Sequence, residues 1–112
     1  MAYSKTELFS SDLQSLAGLY KALSHPARLA ILKYLSDAKV CITGDIADEL
    51  PLSRTTVNQH LRELKDAGLI KGTIEGVKTC YCLEPQRVNE FKKLSGTFID
   101  AINITLECDC DD

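Results

Sequence analysis

The sequence lacks several features that would direct it to a membrane or an active site. No apolar run approaches the ~20 residues that span a bilayer, and the start, Met1 to Thr6, is too polar for a secretory signal peptide. There are only two histidines, and no glycine-rich phosphate loop, acid pair or cysteine–histidine nucleophile pattern occurs. We therefore expect a cytoplasmic protein without a membrane partner and without enzymatic activity, whose thiols stay reduced unless they bind metal or meet oxidants.

Charge is unevenly distributed along the 112 residues. The net charge is −3, but residues 107–112 hold four of the sixteen acids and no base, so residues 1–106 carry thirteen bases against twelve acids. Between Ser53 and Lys78, five bases stand against three acids. Such a local excess of bases favours nucleic-acid binding. We predict one winged DNA-binding and dimerisation domain, residues 1–106, followed by an acidic Cys-x-Cys tail, residues 107–112.

The spacing of apolar residues predicts five helices and a β-hairpin. Steps of three and four place the helices over residues 7–23, 26–35, 44–50, 54–67 and 86–106. Alternation with period two places the hairpin over 69–83, with Gly76 in its turn, and a short β-prone stretch at 40–42 can add a third strand. Ser53 is the expected N-cap of the fourth helix and Gly68 its C-terminal cap. The order predicts a mostly α fold with a small antiparallel β-wing (α+β), a winged helix-turn-helix.

The last predicted helix carries an apolar stripe that is too broad for one small core. Its members are Val88, Phe91, Leu94, Phe98, Ile99 and Ile102. An unburied stripe of this kind marks a contact with a partner, so the first and fifth predicted helices are expected to form the surface of a homodimer.

The outward face of the fourth predicted helix is rich in short polar groups and bases, as a helix in the major groove of DNA requires. We expect Thr55, Asn58 and Gln59 to reach base edges. A second set is expected to contact phosphates or guanines: Ser53, Arg54, Thr56 and Arg62, with Lys71 and Lys78 of the wing along an adjacent groove. His60 is expected either to face DNA or to have a structural role, and His25, next to Pro26, to cap a helix. The competing interpretation, a solvated surface helix, is disfavoured by the wing that follows.

Three stretches give the chain a resemblance to a known family. They are Ala22 to Leu32, then Ser53 to Leu69 with its run Thr-Val-x-x-His-Leu-x-x-Leu-x-x-x-Gly-Leu, and Glu75-Gly76 leading to Tyr81-x-Leu83. Together they resemble the ArsR/SmtB metalloregulators over nearly the whole length. The resemblance implies a homodimeric winged helix-turn-helix repressor that binds an imperfect palindrome in operator DNA and releases it when an inducer binds.

The chain departs from the metal-binding patterns of that family in two places. One family site needs histidines on the last helix, and that helix has none here, which disfavours a borderline, nitrogen-preferring ion as inducer. The family's arsenite motif, Cys-Val-Cys-Asp-Leu-Cys, would place thiols at Ile42, Gly44 and Ala47, none of which is cysteine. Cys41 lies one residue before the first of these positions. An arsenite site would therefore have to be built differently.

Five cysteines occur as Cys41 and two Cys-x-Cys pairs, Cys80 with Cys82 and Cys108 with Cys110. A Cys-x-Cys pair in a strand places both sulfurs on one face. In a winged helix the strand before the third helix normally pairs with the second wing strand, so we expect Cys41, Cys80 and Cys82 to share a face. Three thiolates there would suit arsenite, As(III), or antimonite, Sb(III).

The tail pair offers a second donor set. Cys108 and Cys110 are expected to add sulfurs to Cys41 or to the wing pair, giving a four-thiolate site for Cd(II), Pb(II) or Zn(II). Other interpretations stay open. Single cysteines often pack as small hydrophobes, a disulfide from Cys41 to Cys80 or Cys82 would make a redox or persulfide sensor, and a thiol metal-buffering protein would not need the DNA-reading face.

Overall fold

Four α-helices and a three-stranded sheet make up the part of the chain that the computed structural model describes, residues 5–38, 42–43, 50–75, 78–102 and 104–105. A 3-10 helix, Lys5–Leu8, precedes α1, Ser11–Ala22, and α2, Pro26–Ala38. The remaining elements are β1, Ile42–Thr43; α3, Arg54–Asp66; β2, Ile70–Glu75; β3, Lys78–Leu83; and α4, Pro85–Ala101. The architecture is the predicted winged helix-turn-helix, mostly helical with a small antiparallel wing.

The helices differ from the predicted ones in number and in their ends. Five are predicted, whereas the described residues hold four α-helices; the predicted third helix falls on residues 44–49, outside the described ranges, and on Leu50, which lies in a turn. The first helix begins only at Ser11, because the Ser10 side chain caps it by accepting a hydrogen bond from the Leu13 amide at 3.2 Å. The second was predicted to give way to a loop at Ser36, but it continues to Ala38, since no glycine or proline interrupts it there.

The last helix is shorter than predicted. It begins at Pro85, where the Glu84 side chain caps it, and ends at Ala101 instead of Leu106. Ile102 follows with extended backbone angles, φ −76° and ψ 112°. None of the helices within the described ranges is long and apolar enough to cross a membrane.

The sheet has the strand order β1-β3-β2, and all its pairs are antiparallel. The hairpin β2–β3 pairs from Ile70 with Leu83 to Glu75 with Lys78 and forms the wing. On the other edge of β3, the two-residue strand β1 pairs Ile42 with Tyr81 and Thr43 with Cys80. The strand β1, which precedes α3 in the chain, is therefore joined to the wing by backbone hydrogen bonds.

One hydrophobic core unites α1, α2, α3 and the sheet. Its most deeply buried members are Leu19, Ile31, Val57, Leu61, Leu64, Leu69 and Tyr81, each at most 1 % exposed. The inward stripe of α3 consists of Val57, Leu61 and Leu64, which follow one another at steps of four and three. The first half of α4 packs against this core through Val88, Phe91 and Leu94.

Two contacts fix the end of α3. Gly68 takes φ +82°, the left-handed conformation that a C-terminal cap requires, and the Leu69 amide bonds back to the Leu64 carbonyl at 3.0 Å. From α4, the Arg87 side chain donates through Nε to the Ala67 carbonyl at 3.1 Å and forms an ion pair with Glu90 at 3.0 Å. The orientation of α3 is thus held at its C-terminus by the sheet and by α4.

Candidate functional site

The N-terminus of α3 is capped by Ser53, as predicted. Ser53 has extended backbone angles, its Oγ accepts a hydrogen bond from the Thr56 amide at 3.3 Å, and it donates to Thr56 Oγ1 at 3.0 Å. The two hydroxyl side chains therefore bind one another and define the first turn of the helix. A helix N-terminus with neighbouring hydroxyl groups is a suitable contact for a DNA phosphate.

The face of α3 opposite the core carries most of the residues predicted to bind DNA. Arg54, Thr55, Gln59 and Arg62 are exposed, and Thr56 and Asn58 are half-buried at its margins. Residues three and four apart in a helix lie side by side, so Thr55, Gln59 and Arg62 form one row. This row presents hydroxyl, amide and guanidinium groups together, the groups that read base edges in the major groove.

His60 lies on the other side of α3 and is only 8 % exposed. Its Nδ1 accepts a hydrogen bond from Arg28 Nε at 3.1 Å, and its ring centroid is 4.3 Å from that of His25. Of the two roles that the sequence leaves open for His60, these contacts fit the structural one, because a buried ring is not part of the outward row. Burial lowers the pKa of His60, and the nearby His25 and Arg28 lower it further, while Glu63 opposes them.

Arg28 is a residue whose importance the sequence analysis missed. Besides the bond to His60, its Nη1 donates to the Ala22 carbonyl at 3.0 Å, at the last residue of α1. The predicted capping role of His25 is confirmed, since its Nδ1 accepts a hydrogen bond from the Ala27 amide at 3.0 Å. The spacing from His25 to Arg28 is visible in the sequence, but the partner His60 is 32 residues away, and only the packing of α2 on α3 reveals it.

Among the side chains that the structure describes, the wing contributes one of the predicted cations, Lys71 of β2. Lys71 is exposed, and its Nζ lies 3.9 Å from Glu84 Oε2, a loose surface pair that adds little stability and leaves the ammonium group accessible. Lys78 opens β3, where it pairs with Glu75, but its side chain lies outside the described residues.

Cys80 and Cys82 lie on β3 without a disulfide between them, Cys80 exposed and Cys82 half-buried. Between them Tyr81 is buried in the core at 1 % exposure, so the alternation of the strand turns both cysteines to the opposite face, as predicted. Cys41, Cys108 and Cys110 lie outside the described residues. Within the described ranges, no three His, Cys, Asp or Glu side chains come together in a group that could hold a metal ion.

Comparison with known proteins places this arrangement in a family. A model of a helix-turn-helix domain matches residues 23–73. The HTH-type transcriptional regulator MJ1325 of Methanocaldococcus jannaschii is 38% identical over 78 residues, 70% of this chain and 88% of that protein. A cadmium resistance transcriptional regulatory protein, the CadC homolog of Staphylococcus aureus, is 32% identical over 87 residues, 77% of this chain and 71% of that protein.

Solved structures share the fold. A possible transcriptional regulator for arsenical resistance superimposes with a TM-score of 0.58 at 27% identity, over 70% of this chain and 80% of the other. An ArsR-like transcriptional regulator from Rhodococcus sp. RHA1 gives a TM-score of 0.59 at 25% identity, over 81% of this chain and 88% of the other. With the capped α3, its polar outward row and the wing, these likenesses show that the chain belongs to the ArsR/SmtB family of winged helix-turn-helix transcriptional regulators.

Proposed function

We propose that the protein is a homodimeric repressor that leaves its operator DNA when a soft metal or metalloid ion binds to its cysteine thiolates, with As(III) or Sb(III) as the favoured inducer. The observation that carries this proposal is the placement of Cys80 and Cys82, two thiols on one face of β3 that form no disulfide with each other. This strand pairs with β1 on one side and with β2 of the wing on the other. An ion bound at this face would act directly on the elements that flank α3. Because a thiolate sensor needs reduced cysteines, we place its action in the cytoplasm.

DNA binding is assigned to the outward row of α3 and its surroundings. Thr55 and Gln59 are the residues for base edges, together with Asn58, and Arg54 and Arg62 are the exposed cations for phosphate or guanine. The first turn, with Ser53 and Thr56, would bind a phosphate, and the wing would follow an adjacent groove with Lys71 and Lys78.

A second copy of the chain is the proposed partner of the apolar surface formed by α1 and α4. A groove of about 380 Å³ lies there, lined mainly by Phe9, Leu13, Leu16, Tyr20 and Phe98. Phe9 is 61 % exposed and Ile99 59 %, which is costly for a monomer in water. A two-fold axis through this surface would cover it from both sides and would present two α3 helices to successive turns of a palindromic operator.

For the inducer site we propose Cys41, Cys80 and Cys82 as the ligands. Ile42 pairs with Tyr81 and Thr43 with Cys80. Cys41 directly precedes Ile42 in the sequence, and for this reason we propose it as the third ligand. Directly opposed Cβ atoms are about 4.5–5.5 Å apart, within reach of a shared ion. Three thiolates suit the trigonal coordination of arsenite and antimonite.

The tail pair is the second proposed donor set. Cys108 and Cys110, flanked by acids, would extend the three-thiolate site to four sulfurs for Cd(II), Pb(II) or Zn(II). The names of two similar proteins, one for cadmium resistance and one for arsenical resistance, support soft ions in general rather than one of them.

A redox or persulfide sensor of the same fold is the second candidate function, and the exposure of Cys80 is the observation that favours it. An accessible thiol is open to attack by oxidants as well as to binding by soft ions. Release of DNA by peroxide or persulfide, with none by arsenite, would select this candidate.

Metal binding by serine variants tests the proposed ligands. Reduced protein is titrated with arsenite, and binding is followed by the ultraviolet absorption of metal–thiolate bonds and by stoichiometry. Loss of a residue that only contacts a metal ligand already weakens metal binding by about 10- to 100-fold. Loss of a ligand itself should cost more, so we expect arsenite binding to weaken by more than this in each of Cys41→Ser, Cys80→Ser and Cys82→Ser. The matched control is Cys108→Ser with Cys110→Ser, which should leave arsenite binding intact and weaken only Cd(II). Full arsenite affinity in the three wing and strand variants would disprove the proposed site.

A further inference from the structure

The side chain of Arg28 connects three helices, α1, α2 and α3. Arg28, in the first turn of α2, donates through Nε to His60 of α3 and through Nη1 to the Ala22 carbonyl, at 3.1 and 3.0 Å. Ala22 is the last residue of α1. The position of α3 relative to α1 and α2 therefore depends on a bond that the His60 ring accepts.

The bond from Arg28 requires a neutral His60. An imidazole nitrogen that accepts a hydrogen bond carries no proton, so the ring proton of His60 is on Nε2. A second proton would have to bind at Nδ1, where it would point at the Arg28 Nε–H and break the bond. The resulting cation would be nearly enclosed in protein, since His60 is 8 % exposed.

Charged groups around His60 make its protonation still less favourable. Among the described residues, the titratable and charged groups that act on it are His25 and Arg28, both at the start of α2, and Glu63, three residues along α3. The His25 ring lies 4.3 Å away, centroid to centroid, at a tilt of 42°. Burial, His25 and Arg28 lower the pKa of His60, and Glu63 alone raises it.

We propose that Arg28, His25 and His60 are positioning residues for DNA recognition, and that protonation of His60 breaks their contact and weakens specific DNA binding without any metal. This inference rests on the proposed DNA-binding function and adds the proton as a second effector. Loss of the Arg28–His60 bond would leave α3 held against α1 and α2 mainly by apolar packing, and we expect this looser contact to alter the spacing of the two α3 helices in the proposed dimer.

The direction of the pH effect follows from the lowered pKa. The unfolded chain binds a proton on this histidine at about pH 6.5, whereas the folded protein binds it only at lower pH. The contribution of neutral His60 to stability is therefore complete above about pH 6.5 and is lost as the pH falls from there towards the folded pKa. Simple electrostatics predicts the opposite effect on DNA binding, because added positive charge strengthens the attraction to phosphates.

The test is the affinity of metal-free, reduced protein for duplex DNA from its own upstream region, measured at constant ionic strength from pH 7.5 down to below the pKa of His60, which an NMR titration of the ring locates. Below that pKa, specific affinity should fall by up to about tenfold per pH unit for each subunit of the dimer, since one proton per subunit must leave on binding. His60→Gln should flatten this dependence, because its amide oxygen can accept a bond from Arg28 but does not titrate. His25→Ser, which keeps an oxygen to cap the Ala27 amide, should retain the pH dependence.

Several outcomes would overturn the proposal. They are affinity that stays constant or rises on acidification, a dependence unchanged in His60→Gln, and a dependence abolished by His25→Ser alone. If His60→Gln does not fold, an NMR titration of the wild type decides: the His60 ring should titrate below pH 6.5, together with faster amide exchange in α3, and an ordinary pKa would refute the proposal. Absence of specific DNA binding at pH 7.5 would contradict the proposed function. The NMR titration would still show whether His60 has the lowered pKa that its contacts with Arg28 and His25 imply.

Discussion

Replacing Gly72 with alanine is expected to disrupt the wing and to lower the free energy of unfolding by about 2–6 kcal/mol. Gly72 lies in β2 opposite Tyr81 and has φ +129°, a conformation that residues with a side chain rarely adopt. An added Cβ would overlap the carbonyl oxygen of Cys80 and lie 2.7 Å from Tyr81 Cα. These are backbone atoms of the partner strand, so no side-chain rotation relieves the overlap.

The consequence extends beyond the hairpin, because β3 contains both a core residue and the candidate ligands. Tyr81 is 1 % exposed, and moving its backbone would pull its ring from the core while displacing Cys80 and Cys82. Chemical denaturation followed by circular dichroism measures the effect. The matched control is Gly18→Ala in α1, where no described atom lies within 4 Å of an added Cβ and alanine should add about 0.5–1 kcal/mol. If the Gly72→Ala protein were as stable as the wild type, β2 and β3 would not lie as close together at this position as described.

Removing two of the three proposed base-reading side chains, Thr55→Ala together with Gln59→Ala, is expected to abolish most of the specificity of DNA binding. Each good contact with a base edge is worth about 1–3 kcal/mol, so the loss of two should lower specific affinity by roughly 30-fold to 10⁴-fold for each half-site. Both side chains are exposed, and alanine is the strongest helix former, so α3 should remain folded. Binding to unrelated DNA depends on phosphate contacts and should change little.

Fluorescence anisotropy with specific and scrambled duplexes at one salt concentration measures this difference. Gln86→Ala is the matched control, since it makes the same change at an exposed position of α4. It should leave both affinities as in the wild type. If the double variant and the control bind the specific duplex equally well, the outward row of α3 does not read bases.

The parts of the fold that could be predicted are those with strong local signals. Ser53 and Gly68 mark the ends of α3 through side-chain chemistry and a left-handed backbone, and the period of Val57, Leu61 and Leu64 identifies its buried side. Alternation alone placed Cys80 and Cys82 on one face of the wing. Each of these features depends on residues within a few positions of one another, which is why the sequence alone predicts them.

The features that escaped prediction depend on residues far apart in the chain. Gly72 matters only because β3 passes close beside it, whereas the sequence drew attention to Gly76 in the turn. The position of His60 along α3 leaves open whether its ring faces DNA or the protein. Its bond from Arg28 of α2 depends on how the two helices pack. The apolar excess of the proposed dimer surface is visible in the sequence, but the groove between α1 and α4 depends on how these two helices pack.

Release of DNA by arsenite tests the central claim most directly. The reduced protein, bound to a labelled duplex from its upstream region, is titrated with arsenite, and the same titration is made with the Cys80→Ser, Cys82→Ser double variant. We predict that the wild type dissociates at about one arsenite per subunit and that the double variant binds the same DNA but stays bound throughout. Equal release of wild type and double variant, or no release of the wild type, would contradict a thiolate switch at the wing.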